Sequence, residues 1–372
     1  MITTTDYRAA LFTAPGEVVM RTQPRPDIGE GDVLIEVTAC GVCGSDLALF
    51  GGEKEGAGFP LVAGHEIVGR VVEIGPSASV RRGLRVGDRV VLEEAIPCGT
   101  CAVCQDGRHR LCGRGRRFGG TPLNGGGAHL GGYAEMVLVP PNAVAHRVPE
   151  GLDDERATWF IPVSNGLSWL RSRAGLRPGE RVVVIGPGQH GLGTALAAKE
   201  LGAGQVIVCG LHTDRTRLEL AERLGATSVT VDPDGRWRED VRHMTGGGAD
   251  VVVDVTPRSA EVVRDAVSVS DMGGRVILAG VKRGRRLDGL DVDAMVLGER
   301  SMLGVNARES WAVPAALGLL SRGGPGHEVL TGPVLPLEGL RTALDLLAGT
   351  EGPPPVHAVI SPLARSRDGA GG

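Results

Sequence analysis

Four cysteines crowd into fifteen residues of a 372-residue chain: Cys98, Cys101, Cys104 and Cys112, spaced C-x2-C-x2-C-x7-C. Gly99, Thr100 and Gly107 lie among them and permit the tight turns that four convergent thiolates require. Such a knot suits a tetrahedral, all-thiolate zinc site. Two disulfides would need an oxidising compartment, and the x7 gap matches neither common ferredoxin spacing. With sulfur in all four positions the metal has no open coordination site, so its expected role is structural, holding a lobe at 93–117. Two further segments each offer one ligand beside glycine: Gly41-Val42-Cys43-Gly44-Ser45-Asp46 and Gly64-His65-Glu66-Ile67-Val68-Gly69. A single cysteine or histidine is ordinarily a packing residue, but a thiolate and an imidazole together are half of a zinc site. A third group, Gly186-Pro187-Gly188-Gln189-His190-Gly191, reads G-x-G-x-x-G between an apolar strand and a helix. In that context the glycines let backbone approach a pyrophosphate at a helix N-terminus, which predicts dinucleotide binding.

The elements that must hold these groups change character along the chain. From Tyr7 to about Val148, short β-rich segments broken by glycine and proline (32–38, 67–74, 89–92, 134–139) predict a mostly-β region. From Glu180 onward, apolar strands alternate with amphipathic helices, the pattern of a parallel sheet covered on both faces. Six strands are expected, at 181–185, 205–211, 228–232, 250–255, 275–281 and 302–305, with crossover helices at 191–201 and 214–224. Six is the count of a full Rossmann sheet. After about Arg308 the rhythm weakens, and the reading returns the chain to its first domain there.

In chain order, C-G-V-C-G-S-D at 40–46, G-H-E-x-x-G at 64–69, the four-cysteine lobe and the glycine loop resemble the zinc-dependent medium-chain dehydrogenase/reductase superfamily of alcohol dehydrogenases. The resemblance spans nearly the whole chain. It implies a two-domain α/β fold: a GroES-like, mostly-β catalytic domain (1–160 and 309–372) and a Rossmann doubly wound cofactor domain (161–308). It further implies that Cys43 and His65 bind a catalytic zinc, Cys40 only packs, Ser45 takes the alcohol proton and Asp46 orients His65. The family's third ligand position falls on Ile161, whose side chain cannot bind metal. Glu66 is the expected substitute, leaving one open position. Relatives often carry a proton-relaying histidine where this chain has Ala48.

The activity so implied is hydride transfer between a nicotinamide cofactor and an alcohol or carbonyl, a secondary or polyol-like alcohol being expected, with zinc as Lewis acid. The alternative raised by Ile161 is an NADPH-dependent reductase of a C=C, C=N or activated carbonyl group that has lost or weakened this zinc and uses Ser45 or Glu66 as proton donor. A non-enzymatic binding protein ranks last, because Cys43, Ser45, His65 and Glu66 are all present. Cofactor contacts are expected at Gly186, Gly188, Gln189, His190 and Gly191, and Asn165 matches a family position on the nicotinamide side. An NAD-preferring chain would end its second strand with Asp or Glu; counting back from Leu224-Gly225-Ala226 places His212 there. Arg215 and Arg217 follow, and guanidinium suits a 2′-phosphate, so NADP(H) is favoured over NAD(H). Asp214 stands close enough to supply the acid instead.

Composition limits the partners. Forty-four acidic residues outweigh 40 basic ones for a net charge of −4, which disfavours nucleic acid. No apolar run reaches membrane-spanning length and no signal-peptide pattern opens the chain, so a cytoplasmic location is expected. Seven cysteines, an odd number at short spacings, favour metal over disulfides. The expected partner is a small-molecule substrate, and the resemblance implies a homodimer or homotetramer.

Overall fold

The computed structural model describes residues 6–54, 56, 58–350 and 352–364. Contacts divide the chain into two compact units, one running to Phe160 and resuming at Thr331, the other spanning Ile161–Leu330. The return therefore falls at Thr331 rather than at 309. The physical reason is that the intervening segment is tied into the second unit. Trp169 Nε1 donates to the Ala307 carbonyl at 2.8 Å, the Glu309 amide donates to Ser168 Oγ at 3.2 Å, and Arg322 pairs with Glu200 at 2.6 Å. The helix Ala312–Arg322 follows directly, and it buries Val313, Ala316, Leu317 and Leu320.

In the first unit the strand Val33–Val42 lies at the centre of a seven-stranded sheet. It pairs antiparallel with Glu66–Ile74 on one side and with Met136–Val139 and Ala358–Ile360 on the other. Val33, Ile35, Val37, Cys40 and Val42 enter one apolar core with Ile67, Val71, Val90 and Leu92. The strand is covered on both faces: Leu34 and Ala39 are also at most 1% exposed, and only Glu36 and Thr38 are partly open. The pairing sets Gly41 opposite Glu66, and that register places the candidate ligands. Ala95–Ile96 pairs with Arg116–Arg117 and closes the neck of the cysteine lobe.

The same unit buries a titratable side chain. His357 is fully buried against Trp159, ring centroids 5.1 Å apart, with Nε2 2.7 Å from Thr158 Oγ1. Desolvation pushes its pKa down to about 3. The unfolded chain would protonate this histidine near 6.5, so below that pH the unfolded state binds the extra proton. The stability is whole above pH 6.5 and is lost as pH falls towards 3, by up to about 5 kcal/mol. His357→Phe is expected to flatten the acid limb of the thermal midpoint between pH 6.5 and 4. Parallel pH profiles for the two proteins would refute this.

The second unit is a six-stranded parallel sheet of Arg181–Ile185, Gln205–Leu211, Thr227–Val231, Ala249–Asp254, Ser270–Leu278 and Ser301–Gly304, in spatial order third, second, first, fourth, fifth, sixth. The valines at 182–184 and 251–253 are at most 1% exposed, as strands covered on both faces require. The fifth strand starts earlier than periodicity suggests, because Ser270 already pairs with Ala249, and stops at Leu278. It stops because the amides of Ala279 and Gly280 both turn to the Asp254 carbonyl, at 2.9 and 3.0 Å. The helix Gln189–Glu200 is buried almost all round, with every residue from 191 to 198 inside. It packs closely on Phe160–Ser168: a β-carbon at Gly193 would lie 2.6 Å from the Pro162 carbonyl carbon, and one at Gly166 2.7 Å from Thr194 Cα.

Candidate active site

In the first unit, Cys43, His65 and Glu66 each present a ligand atom, and the three atoms lie within 4.8 Å of one another. An ion with bonds of about 2.0–2.3 Å gathers such a set with side-chain movements of about an ångström. Cys43 ends the central strand's run and caps the helix Gly44–Phe50. Its amide donates to Asp46 Oδ2 at 3.0 Å, which turns the chain there. His65 precedes the strand that Glu66 opens, after Gly64 in a left-handed conformation at φ 86°.

The orientation of His65 follows from its neighbours. Its Nδ1 faces Asp46 Oδ1 at 3.3 Å, leaving Nε2 on the side of Ser45 Oγ, 3.5 Å away. Tyr133, fully buried, donates to Asp46 Oδ2 at 2.9 Å and so holds the carboxylate that holds the imidazole. A ligating histidine ordinarily has its second nitrogen fixed in this way. Burial alone would lower the His65 pKa, but the charge and hydrogen bond of Asp46, with Cys43, reverse this and hold it well above the usual value. Burial opposes ionisation of Asp46, and His65 with the surrounding donors still keeps its carboxyl below the ordinary range. Burial pushes up the thiol of Cys40, which packs in the core. Tyr133 was not singled out by the sequence, although it is one of only two tyrosines in the chain.

Glu66 is wholly buried, and Gly41 makes its place: a β-carbon at 41 would collide with Glu66 Oε2 and lie 2.7 Å from His357 Cε1. Only the strand register gives the glycine of C-G-V-C-G this role. Gly41→Ala is expected to displace the carboxylate, costing about 1–3 kcal/mol, and to lower metal content and activity together. Metal analysis beside a rate assay checks it, and unchanged metal content would count against Glu66 as a ligand. Ile161, at 3% exposure, is a helical residue with only hydrocarbon to offer. Ala48 is likewise buried hydrocarbon.

The four lobe cysteines converge as a second set. Cys101 and Cys104 sulfurs lie 3.4 Å apart, Cys101 and Cys112 3.8 Å, and Cys98 and Cys104 4.0 Å. A tetrahedron with zinc–sulfur bonds of about 2.3 Å has sulfur–sulfur edges of about 3.8 Å, whereas a disulfide closes to about 2.05 Å. The spacing therefore fits a closed zinc site. Backbone amides of Thr100 and Cys101 pull the Cys98 thiol down to about 6.

In the second unit Gly186 adopts φ 109°, and a β-carbon at Gly191 would collide with the Gly186 carbonyl. At Gly188 nothing stands within 4 Å of that position. The loop thus needs glycine at its two ends and leaves open space over its middle, the cradle a pyrophosphate fills. Gln189 and His190 form the first helical turn. The ring of His190 stacks on Trp169 at 6.0 Å and 20°. His212 is exposed just beyond the second strand, in a turn whose Leu211 amide donates to Asp214 Oδ2 at 3.1 Å. The two arginines separate here. Arg215 is 81% exposed and pairs with Glu219, whereas Arg217 is 22% exposed and held 3.3 Å from Asp214. Asn165 is buried, with Oδ1 accepting from Arg308 Nη1 at 3.4 Å.

A thiolate–imidazole–carboxylate set, a four-thiolate lobe and a nucleotide-binding parallel sheet on one chain define a zinc-type dehydrogenase. Residues 29–150 match the family described as the alcohol dehydrogenase GroES-like domain, and residues 191–322 the family described as zinc-binding dehydrogenase. A probable alcohol dehydrogenase of Mycobacterium tuberculosis strain H37Rv is 38% identical over 365 residues, covering 95% of this chain and 98% of its own. Sorbitol dehydrogenase of Bacillus subtilis strain 168 is 31% identical over 280 residues, 74% of this chain and 75% of its own. Among solved structures, a putative zinc-binding dehydrogenase of Sinorhizobium meliloti 1021 bound to NADP shares 28% identity at a TM-score of 0.82, covering 96% of this chain and all of its own. An alcohol dehydrogenase of Thermotoga maritima, 24% identical, shares the fold at a TM-score of 0.85 over 96% of this chain and 99% of its own. The chain belongs to the zinc-type medium-chain dehydrogenase/reductase superfamily and is an oxidoreductase of the dehydrogenase kind.

Proposed function

We propose that the protein oxidises a secondary or polyol-like alcohol reversibly with a nicotinamide cofactor, using a zinc ion held by Cys43, His65 and Glu66. The observation that carries this reading is the convergence of those three ligand atoms, with Ser45 on the Nε2 side of His65. Zinc at such a set supplies a Lewis acid to the substrate oxygen, and the nicotinamide supplies or accepts the hydride. The protein's own part is positional. Asp46 and Tyr133 keep the imidazole turned, Gly41 leaves room for the carboxylate, and the Ser45 hydroxyl, exposed beside Nε2, is placed to pass the alcohol proton towards solvent. The four-cysteine lobe would hold a second, structural zinc. The reading predicts cofactor reduction by secondary alcohols and polyols such as sorbitol, the substrate named for the Bacillus subtilis relative. A panel in which only activated alkenes or imines react, and only with NADPH, would favour the metal-free reductase instead.

NADP(H) is the proposed cofactor. Arg217 supports it, because its guanidinium is held at the end of the second strand, whereas Arg215 is turned out to Glu219. Arg217→Ala is expected to weaken NADPH binding about tenfold or more while leaving NADH within a few-fold, as for loss of a phosphate contact. Fluorescence titration of both nucleotides checks it, and an equal loss for both would remove the phosphate role.

A further inference from the structure

The sequence contains only three lysines, and no role in cofactor binding or chemistry falls to Lys282. Its ammonium lies 2.6 Å from Asp254 Oδ2, 2.6 Å from the Thr256 carbonyl and 3.2 Å from Thr256 Oγ1. Three acceptors match the three hydrogens of an ammonium. Asp254, with no exposed surface at the end of the fourth strand, also accepts at Oδ1 from the Thr256 amide at 2.9 Å and from Thr256 Oγ1 at 2.6 Å.

The position of this network gives it meaning. The strand order reverses between the first and fourth strands, and in open α/β sheets the ligand crevice lies outside the carboxyl ends at such a switch point. Gly186 follows the first strand and Thr256 the fourth, and a β-carbon at Gly186 would lie 3.0 Å from Thr256 Cγ2. The Arg258 amide meets the Val281 carbonyl at 3.3 Å, joining the loops after the fourth and fifth strands. Arg258 and Arg283 flank the network in left-handed conformations, φ 71° and 51°. Strain of that kind persists where the surroundings over-determine the backbone, and it clusters at ligand clamps. A buried ion pair is a poor device for stability alone, since apolar replacements often stabilise as well or better.

We propose that Lys282, through Asp254 and Thr256, is a positioning residue that latches the loops at 255–258 and 279–283 against the glycine loop and sets the crevice for the dinucleotide. The three hydrogens of the ammonium already have protein acceptors, so it acts through these loops and not on the cofactor. The inference rests on the nicotinamide reading above. The test compares Lys282→Met, Lys282→Arg and the double variant Asp254→Leu with Lys282→Met, by thermal unfolding and by titration of NADPH and NADH.

Lys282→Met should lower the thermal midpoint and weaken both nucleotides about tenfold, as loss of preorganisation does, and Lys282→Arg should recover part of that affinity. The double variant removes both charges, so its midpoint should recover while its nucleotide affinity stays weak. Recovery of affinity together with the midpoint, or native affinity in Lys282→Met, would overturn the latch. If the unaltered protein binds neither nucleotide, the dinucleotide reading itself fails, and the latch with it.

Discussion

Replacing Cys43 or His65 by alanine is expected to lower kcat/KM for alcohols by on the order of 10³-fold or more, for Cys43→Ala with little change in thermal midpoint. A Lewis acid at the substrate oxygen contributes several kcal/mol to the transition state, and each ~1.4 kcal/mol is a factor of ten. The expectation rests on geometry: the ligand atoms lie within 4.8 Å of one another, and His65 is already turned by Asp46. Metal content should fall from two ions per chain to one. The fold should tolerate Cys43→Ala, because Cys43 lies between a strand and a short helix and alanine fills most of its place, whereas His65→Ala also strips the buried Asp46 carboxylate of its partner and should lower the midpoint as well. A native content of one ion, with activity indifferent to Cys43→Ala, would remove the catalytic zinc and return the metal-free reductase to first place. Asp46→Asn should fall between these limits, since removing a carboxylate behind a ligating histidine typically costs about 10–100-fold.

Loss of the lobe metal should give the opposite signature. Cys101→Ser or Cys104→Ser removes one of four thiolates whose separations already approximate the edges of a zinc–sulfur tetrahedron. Closed zinc sites bind with about 10–16 kcal/mol in small domains, and that binding is folding free energy. The lobe has little else to hold it: a two-residue strand pair at its neck, a four-residue helix and one turn of 3-10 helix. A fall in the thermal midpoint of at least about 10 °C is expected, with new protease cleavage between 98 and 112. Below its unfolding transition the variant should keep kcat within a few-fold, because a fully thiolate-ligated metal touches no substrate. Unfolding followed by calorimetry, with metal counted in the same sample, separates the two sites. A variant with native midpoint and native metal content would show that the lobe does not depend on zinc.

The readings that were legible in the sequence are those whose parts lie close along the chain. The four lobe ligands fall within fifteen residues and G-x-G-x-x-G within six, so local backbone geometry brings each set together with little help from the rest of the fold. Strand periodicity likewise located the six parallel strands to within one residue, except the fifth, which starts five and stops three residues earlier; valine and isoleucine runs are clearest in the central first and fourth strands, which are covered on both faces. The segment 312–322 was read only as a weakened rhythm returning to the first domain, because its allegiance depends on bonds from Ala307 and Glu309 back to Trp169 and Ser168.

What only the tertiary structure decided are pairings across long stretches of chain. Glu66 joins Cys43 because strand register sets Gly41 opposite Glu66, and a shift of one residue would turn that carboxylate to the other face. Tyr133 reaches Asp46 across 87 residues, and Lys282 reaches Asp254 across 28. Arg215 and Arg217 look alike in sequence and differ in the folded chain, since a helical step of two residues points them in different directions. Residue types and local spacing determined which chemistry this protein could hold, whereas register and loop packing decided which side chains stand together for it. The reason is that short segments have few conformations to choose among, while long-range partners are selected only when the whole sheet closes.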